Sequence, residues 1–253
     1  MTMQVSKPMR VAIFGATSGI ATAVARRYAE SGARLVLVAR DQASLTAAAA
    51  DLEVRGAAEV EVQEADFART ADIPATVAAA WTRFDGLDLA VVAYGTLPDQ
   101  QEMEAESAKA EQALVLNFLS PALLCGELAH RFEARKSGTL AVISSVAGDR
   151  GRKSNYVYGA AKGGLQRYLE GLRHRLFAAG VQVLDIRPGF VSTKMTAHLS
   201  QKGPLWASPD QVAADIVGAI QKRKEVLYTP WFWRWVMMGV RNAPGPLFHR
   251  TSL

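Results

Sequence analysis

Short runs of β-branched and aliphatic residues alternate with longer stretches of helical periodicity along most of the chain. Residues 10–14, 34–39, 60–64, 87–93, 139–144, 181–186 and 226–228 read as strands. Residues 19–31, 42–55, 106–136, 156–179 and 209–222 read as helices, 42–55 by alanine propensity. Pro121 lies inside the segment 106–136 and is expected to kink or interrupt it. Such alternation predicts an α/β fold, a doubly wound parallel sheet of about seven strands. No internal repeat, low-complexity linker or composition break divides the chain. Residues 1–253 are therefore expected to form one domain, with 229–253 as a C-terminal extension. That extension gathers Trp231, Phe232, Trp233, Trp235 and Phe248 with Arg234, Arg241 and Arg250, and contains no acid.

Length and composition narrow the class. With 253 residues, 49% of them hydrophobic, the chain can bury a large core without covalent staples. Cys125 is the single cysteine, which excludes an internal disulfide and fits a reducing, cytoplasmic setting; its apolar surroundings suggest a structural thiol. The first nine residues show no run of signal-peptide length, and no stretch of about 18 uncharged apolar residues is evident, so no membrane-spanning helix is expected. The net charge of +5 favours anionic cofactors or anionic surfaces. Zinc-ligand spacing and nucleic-acid recognition patterns are absent from the sequence, so nucleic acid is not an expected partner. His130, His174, His198 and His249 are scattered, and no metal site is expected.

Chemistry concentrates at a few points. The first strand runs into Gly15-Ala-Thr17-Ser18-Gly19-Ile20-Ala21 and then a helix. A strand, a glycine turn and a helix N-terminus together direct backbone N–H groups at a pyrophosphate. Glycine also simply ends strands, so this spacing alone leaves both readings open. Arg40 follows the second strand, where an adenosine ribose would lie; a cation there suits a 2′-phosphate, and the alternative is a solvated loop charge. NADPH is thus the favoured cofactor and NAD the second choice. Asp41 reads as a helix cap. Asp66, closing the third strand, either faces adenine or starts a turn.

Tyr158 and Lys162 are spaced i, i+4 at the head of a helix, on one face. A fixed ammonium, with the positive charge of an oxidised nicotinamide, is expected to lower the phenol's pKa and suit it to proton transfer with a carbonyl or alcohol. Tyr156 has Ala160 four residues on and cannot take this part. Ser145 ends the fifth strand, where its hydroxyl can hold a substrate oxygen or merely finish the strand. Asn117, inside the long helix, can hold a relay water through its amide or a helix kink, or simply pack.

Across residues 9–228 these pieces resemble the short-chain dehydrogenase/reductase family. They are Gly15-x3-Gly19-x-Ala21, Asn117, Ile143-Ser-Ser145, Tyr158-x3-Lys162 and Arg187-Pro-Gly-Phe-Val-Ser-Thr193. The resemblance implies a single-domain Rossmann fold and a catalytic tetrad of Asn117, Ser145, Tyr158 and Lys162. It also implies cofactor contacts from Gly15, Thr17, Ser18, Gly19, Ile20, Tyr158 and Lys162. Pro188, Gly189, Val191 and Thr193 would lie by the nicotinamide carboxamide. Homodimers or tetramers through the helices at 106–136 and 156–179 are implied as well. One departure stands out: Val92-Ala93-Tyr94-Gly95 replaces the family's usual Asn-Asn-Ala-Gly. Gly95 keeps the close backbone approach, and Tyr94 is expected to supply packing.

A narrower resemblance links Val92-Ala-Tyr-Gly95, residues 144–150 and 152–159, Ile186-Arg-Pro-Gly189, Met195-Thr-Ala-His-Leu199 and Val236-Met-Met-Gly-Val-Arg241 to reductases of a lipid-linked keto sugar. The expected substrate is a small-molecule or lipid-linked carbonyl compound. Residues 194–206 read as a lid, with Met195, Leu199 and Trp206 lining an apolar pocket or serving as ordinary core. The tail's tryptophans and arginines suit peripheral contact with a membrane, or else fold over the substrate loop or a second subunit. A dinucleotide-binding regulatory or scaffold protein is the alternative function. All four tetrad positions are kept, which favours the enzyme.

Overall fold

The computed structural model describes residues 7–197 and 203–251. From the N-terminus, β1 (Arg10–Phe14), α1 (Gly19–Glu30), β2 (Arg34–Ala39), α2 (Gln42–Val54) and β3 (Glu59–Glu64) form the first half of the winding. Next come α3 (Ile73–Thr82), β4 (Leu89–Val92), α4 (Gln100–Ala105), α5 (Ser107–Leu114) and α6 (Ser120–Arg135). Then follow β5 (Thr139–Ile143), α7 (Tyr156–Leu176), β6 (Gln182–Pro188), β7 (Phe190–Val191) and β8 (Trp206–Ala207). The chain closes with α8 (Pro209–Gln221), β9 (Val226–Thr229), α9 (Trp233–Asn242) and α10 (Gly245–Phe248).

Seven strands form one parallel sheet in the order β3-β2-β1-β4-β5-β6-β9. The central strands are apolar without alternation because both faces are covered. On one face, Val24 of α1, Leu45 of α2 and Ile216 of α8 pack against Val11, Leu35 and Leu184. On the other, Val77 of α3, Leu128 of α6 and Leu169 of α7 pack against Phe14, Val92 and Val142. Cys125 is fully buried in this second layer, and burial pushes its thiol well above the ordinary range. The edge strand β3 reads Glu-Val-Glu-Val-Gln-Glu and none of it is fully buried, a charged margin that discourages pairing with another sheet.

The expected α/β architecture is present; α4, β7, β8, α9 and α10 also fall in segments given no element above, and three further points bear on the fold. Helix α3 falls in a segment given no element from the sequence, because its alanine-rich stretch behind Pro74 lacks a polar–apolar rhythm. The segment 106–136 is divided: α5 and α6 are joined by a π-helical turn, Val115–Leu119, in which the Ser120 N–H bonds to the Val115 carbonyl. Pro121 has no N–H for the carbonyl four residues back, so the interruption falls one turn before it. By length and composition the run Ser107–Arg135 is apolar enough to cross a membrane, contrary to expectation. Half of that window is buried inside the protein, where α6 packs against α3 and α7, so it is a core element.

A charge cluster ties the N-terminal ends of β1 and β4 to the end of α6. Asp88 accepts from the Arg10 backbone N–H at 2.9 Å, from the Arg10 guanidinium at 2.7 and 3.1 Å, and from Arg135 at 2.6 Å. These donors hold its carboxyl well below the usual carboxylate range, against the cost of burial. A depressed folded-state pKa contributes stability that is present above about pH 4 and is lost as pH falls below it. Asp88→Asn should therefore lower the neutral-pH unfolding free energy by about 2 kcal/mol. The gap to the native protein should shrink on acidification, as urea titrations at pH 7 and pH 3.5 would show.

Candidate active site

The winding reverses between β1 and β4, leaving a crevice at the carboxyl ends of the strands. A cleft of about 580 Å³ opens there. Its first wall is the turn after β1. Gly15 has φ +87°, and a Cβ would lie 2.7 Å from the Tyr94 nitrogen, so only glycine fits. The Gly15 and Ala16 N–H groups donate to the Val38 carbonyl at 2.8 and 3.1 Å, joining the turn to the end of β2. Ser18 caps α1, accepting weakly from the Ala21 N–H at 3.4 Å. Thr17, Ser18, Gly19 and Ile20 line the cleft and present the helix N-terminus to it. A Cβ on Gly19 would meet Thr193 at 3.2 Å, so this wall and the loop after β7 nearly close on one another.

The floor is Asn117, Gly95 and Lys162. The π-helical turn carries Asn117, fully buried, whose Oδ1 accepts from the Thr96 N–H at 3.1 Å and whose Nδ2 donates to the Ala113 carbonyl at 2.9 Å. Its amide is thus committed to fixing the loop after β4. A Cβ on Gly95 would stand 2.7 Å from Asn117 Oδ1 and 3.5 Å from Lys162 Nζ, which explains why that glycine is kept in a departed motif. Tyr94 supplies the expected packing: its ring stacks on Phe67 at 4.0 Å, and its hydroxyl pairs with Ser120 at 2.9 Å.

Lys162 and Tyr158 come from the first turns of α7, as their spacing predicts. Lys162 is buried and donates to the Ile143 carbonyl at 3.1 Å, with its Nζ 5.8 Å from the centre of the Tyr158 ring. Burial pushes the ammonium down to about 8, with Asp185 acting in the opposite direction. Burial pushes the Tyr158 phenol up to about 12, partly offset by the Ser145 hydroxyl and the Arg152 charge. With the protein's own groups alone, desolvation outweighs the Arg152 charge and favours the protonated phenol; the expected lowering also draws on the positive charge of an oxidised nicotinamide.

Ser145 begins the 3₁₀ turn Val146–Asp149 and accepts from the Ala147 N–H at 3.1 Å. Its carbonyl accepts from Gln166 at 2.8 Å. Gln166 was not singled out in the sequence, although it lies one turn beyond Lys162 on the same face. Beneath it, Ser144 donates to Asp185 at 2.5 Å, while Arg187 bridges Asp185 at 2.7 Å and Asp149 at 2.9 Å. Tyr228 completes this network through Asp149 at 2.8 Å.

The last wall is formed by Pro188, Gly189, Val191 and Thr193. Thr196 accepts from the Thr193 N–H at 3.2 Å and donates to the Val191 carbonyl at 2.6 Å, holding the loop rigid. The tail joins this wall. Trp233 is 5% exposed, and a Cβ on Gly189 would fall 1.9 Å from its indole nitrogen. Met237 and Val146 complete a small core under α9. Arg150 donates to the carbonyls of Val240, Arg241 and Ala243 at the end of α9 and stacks on Phe248 at 3.7 Å. Of the readings of the tail, folding over the substrate loop describes Trp233, whereas Trp231 and Trp235 face outward.

Thirteen of the expected site residues therefore line one cleft; Gly15, Arg40 and Asp66 stand outside its lining. Gly15 shapes the wall from behind. Arg40 is exposed, two residues beyond the Val38 carbonyl that the glycine turn grips. Asp66 lies two residues past the end of β3, is exposed, and accepts from the Ala68 N–H at 3.0 Å, so it starts a turn. Asp41 caps α2, accepting from the Ser44 N–H at 2.6 Å. In the lid segment Met195 lines the cleft. Trp206 is outside that lining and stacks on Phe190 at 5.1 Å between centroids. Leu199 lies outside the described residues.

A reversing parallel sheet whose crevice holds a glycine turn, a helix N-terminus and a half-buried tyrosine beside a buried lysine defines a dinucleotide-dependent oxidoreductase. The short chain dehydrogenase family model matches residues 9–203, and the chain belongs to that family. An uncharacterized oxidoreductase of Mycobacterium tuberculosis H37Rv is 37% identical over 240 residues, covering 95% of this chain and 96% of the relative. An uncharacterized oxidoreductase of Streptomyces coelicolor is 34% identical over 247 residues, 96% of each chain. A short-chain dehydrogenase from Sphingobium yanoikuyae, solved in complex with NADPH, superposes with a TM-score of 0.82 at 27% identity. That match covers 97% of this chain and 96% of the other.

The contact between Gly189 and Trp233 makes the tail part of the cleft wall. Gly189→Ala should expel the indole and loosen α9, so limited proteolysis within 231–251 accelerates at least tenfold. The double variant Gly189→Ala/Trp233→Ala should relieve the clash at β6 but leave the tail loose.

Proposed function

We propose that this protein is an NADPH-dependent reductase that converts a ketone to an alcohol. The observation that carries the reading is the convergence of Ser145, Tyr158, Lys162 and Asn117 on one cleft beside the glycine turn. The cleft of about 580 Å³ offers room for a dinucleotide, and Gly15, Gly19 and Gly95 let its walls pack closely around it. The α1 N-terminus offers N–H groups for the pyrophosphate, Arg40 would meet a 2′-phosphate, and the turn that Asp66 starts would face adenine. Pro188, Gly189, Val191 and Thr193 would hold the carboxamide. When bound, the reduced nicotinamide supplies the hydride.

The chain's own groups do the rest. The Ser145 hydroxyl holds the carbonyl oxygen, and the neutral Tyr158 phenol gives it a proton as negative charge develops there. The buried Lys162 ammonium stabilises the phenolate left behind and takes part in restoring its proton. Asn117's side chain is spent on Thr96 and Ala113, which leaves the kinked backbone of the π-helical turn to hold a relay water. The net change is one ketone, one NADPH and one proton to one alcohol and one NADP.

The motif cluster shared with reductases of a decaprenylphosphoryl 2-keto-pentose points to a lipid-linked keto sugar as substrate. The tail supports it: Trp231, Trp235 and Met238 are 72%, 57% and 51% exposed beside Arg234 and Arg241. That face suits peripheral contact of a cytoplasmic protein with an anionic lipid surface. Leu114, Leu119 and Leu123 are exposed along α5 and α6 and support self-association through these helices.

Loss of absorbance at 340 nm with a ketone and NADPH tests the reading. Tyr158→Phe should lower kcat by roughly 10²- to 10⁴-fold while NADPH binding, followed by fluorescence, is retained. Arg40→Ala should weaken NADPH roughly tenfold or more and leave NADH nearly unchanged, reversing the preference. Undiminished turnover by the Tyr158 variant would remove the mechanism.

A further inference from the structure

The polar groups of the cleft divide into those the protein satisfies and those it does not. Asn117, Gln166 and Ser145 are held within the protein, as described above. Four buried side-chain polar atoms among the described residues have no hydrogen-bond partner. One, Gln63 Oε1, belongs to the edge strand β3. The other three are Arg152 Nε, Asn155 Oδ1 and Trp233 Nε1, and all three residues line the cleft with Tyr158. Such a cluster is costly in a folded protein unless a ligand supplies the partners.

Arg152 is the decisive member. It forms no ion pair or side-chain hydrogen bond among the described residues. The acid that would naturally oppose it, Asp149, is occupied by Arg187 at 2.9 Å and by the Tyr228 hydroxyl at 2.8 Å. The carboxylate on the cleft lining is Asp99, which is exposed and caps α4, accepting from the Gln101 and Glu102 N–H groups at 2.8 and 3.2 Å. Lys162 and Lys194 add further positive charge to the same lining. Cofactor phosphates are not what Arg152 awaits, because their cradle is the α1 N-terminus and Arg152 stands at the reacting end, close enough to act on the Tyr158 phenol.

We propose that Arg152 anchors an anionic oxygen group, a phosphoryl or carboxylate, that the substrate carries next to its carbonyl. The Trp233 indole N–H is the second donor, and Asn155 Oδ1 accepts from a substrate hydroxyl. The proposal rests on the ketone-reductase reading and adds a substrate class to it: hydroxyketones bearing a negative charge close to the reacting carbon. It gives the C-terminal extension a direct part in specificity, since Trp233 comes from α9.

Matched ketones test it: hydroxyacetone against its phosphate and its methyl phosphodiester, and 2-butanone against 2-oxobutanoate. The native enzyme should prefer the charged member of at least one pair by roughly 10- to 100-fold in kcat/KM, through a lower KM. Whichever pair shows it separates phosphate, phosphodiester and carboxylate. Arg152→Gln should bring that ratio within about threefold of unity, and Arg152→Lys should recover part of it. Equal use of charged and neutral ketones by the native enzyme would overturn the proposal. So would an Arg152→Gln variant that loses kcat equally on both members with a shifted pH profile, because Arg152 would then act on Tyr158 alone. Calorimetric titration of the NADP-saturated protein with methyl phosphate and acetate gives a readout without turnover. Saturable binding that weakens at least tenfold in Arg152→Gln supports the anchor even if no ketone is reduced, and no binding to the native protein sinks it. Absence of turnover with every ketone would count against the reductase reading separately.

Discussion

The reversal of winding between β1 and β4 is the constraint on which the rest of the structure depends. Each crossover helix must cover one face of the sheet, so adjacent strands that send their helices to opposite faces leave their carboxyl ends uncovered. The glycine turn after β1, the Tyr94–Gly95 corner after β4 and the Ser145 turn after β5 all open into that gap. The gap persists because its walls are rigid. Gly15 is pressed against Tyr94, Gly19 against Thr193, and Asn117 bonds both the loop after β4 and the helix turn behind it.

Charge is arranged in two tiers around this gap. Below the floor, Asp149 and Asp185 are neutralised by Arg187, with Tyr228 and Ser144 completing their hydrogen bonds. At the floor and the reacting end, Lys162 and Arg152 have no acid in contact among the described residues, and burial lowers the proton affinity of both. A cleft with its acids satisfied underneath and its cations uncovered attracts anions. The same burial favours the protonated form of the Tyr158 phenol.

The C-terminal extension belongs to the site as much as to the surface. Trp233 and Met237 face inward onto Gly189 and Val146, and Arg150 fixes the far end of α9 through the carbonyls of its last turn. That is a cation placed at the negative end of a helix. Trp231 and Trp235 face solvent, while Phe232 packs at the edge of the inward-facing cluster. One short helix thus closes a wall of the cleft and presents a separate apolar, basic face outside it.

Most of the sheet was legible because strands buried on both faces are written as continuous apolar runs, and β1 and β2 match their predicted bounds residue for residue. The tetrad positions and the glycine turn were legible because their spacing is dictated by local geometry: a helix face for Tyr158 and Lys162, a tight turn for Gly15. Helix α3 was not, since an alanine-rich helix against a sheet needs no amphipathic rhythm. Neither were the Gln166 clasp on Ser145, the Asp149–Arg187–Asp185 network, nor the seating of Trp233 on Gly189. Apart from the local Asp185–Arg187 pair, these join residues 21, 38 and 44 positions apart, and no local pattern encodes such pairs. The sequence by itself determined which groups are candidates to carry the chemistry. Only the tertiary structure decided their proton affinities and which of them remain without partners, because burial and neighbouring charge are properties of the assembled cleft and not of the chain.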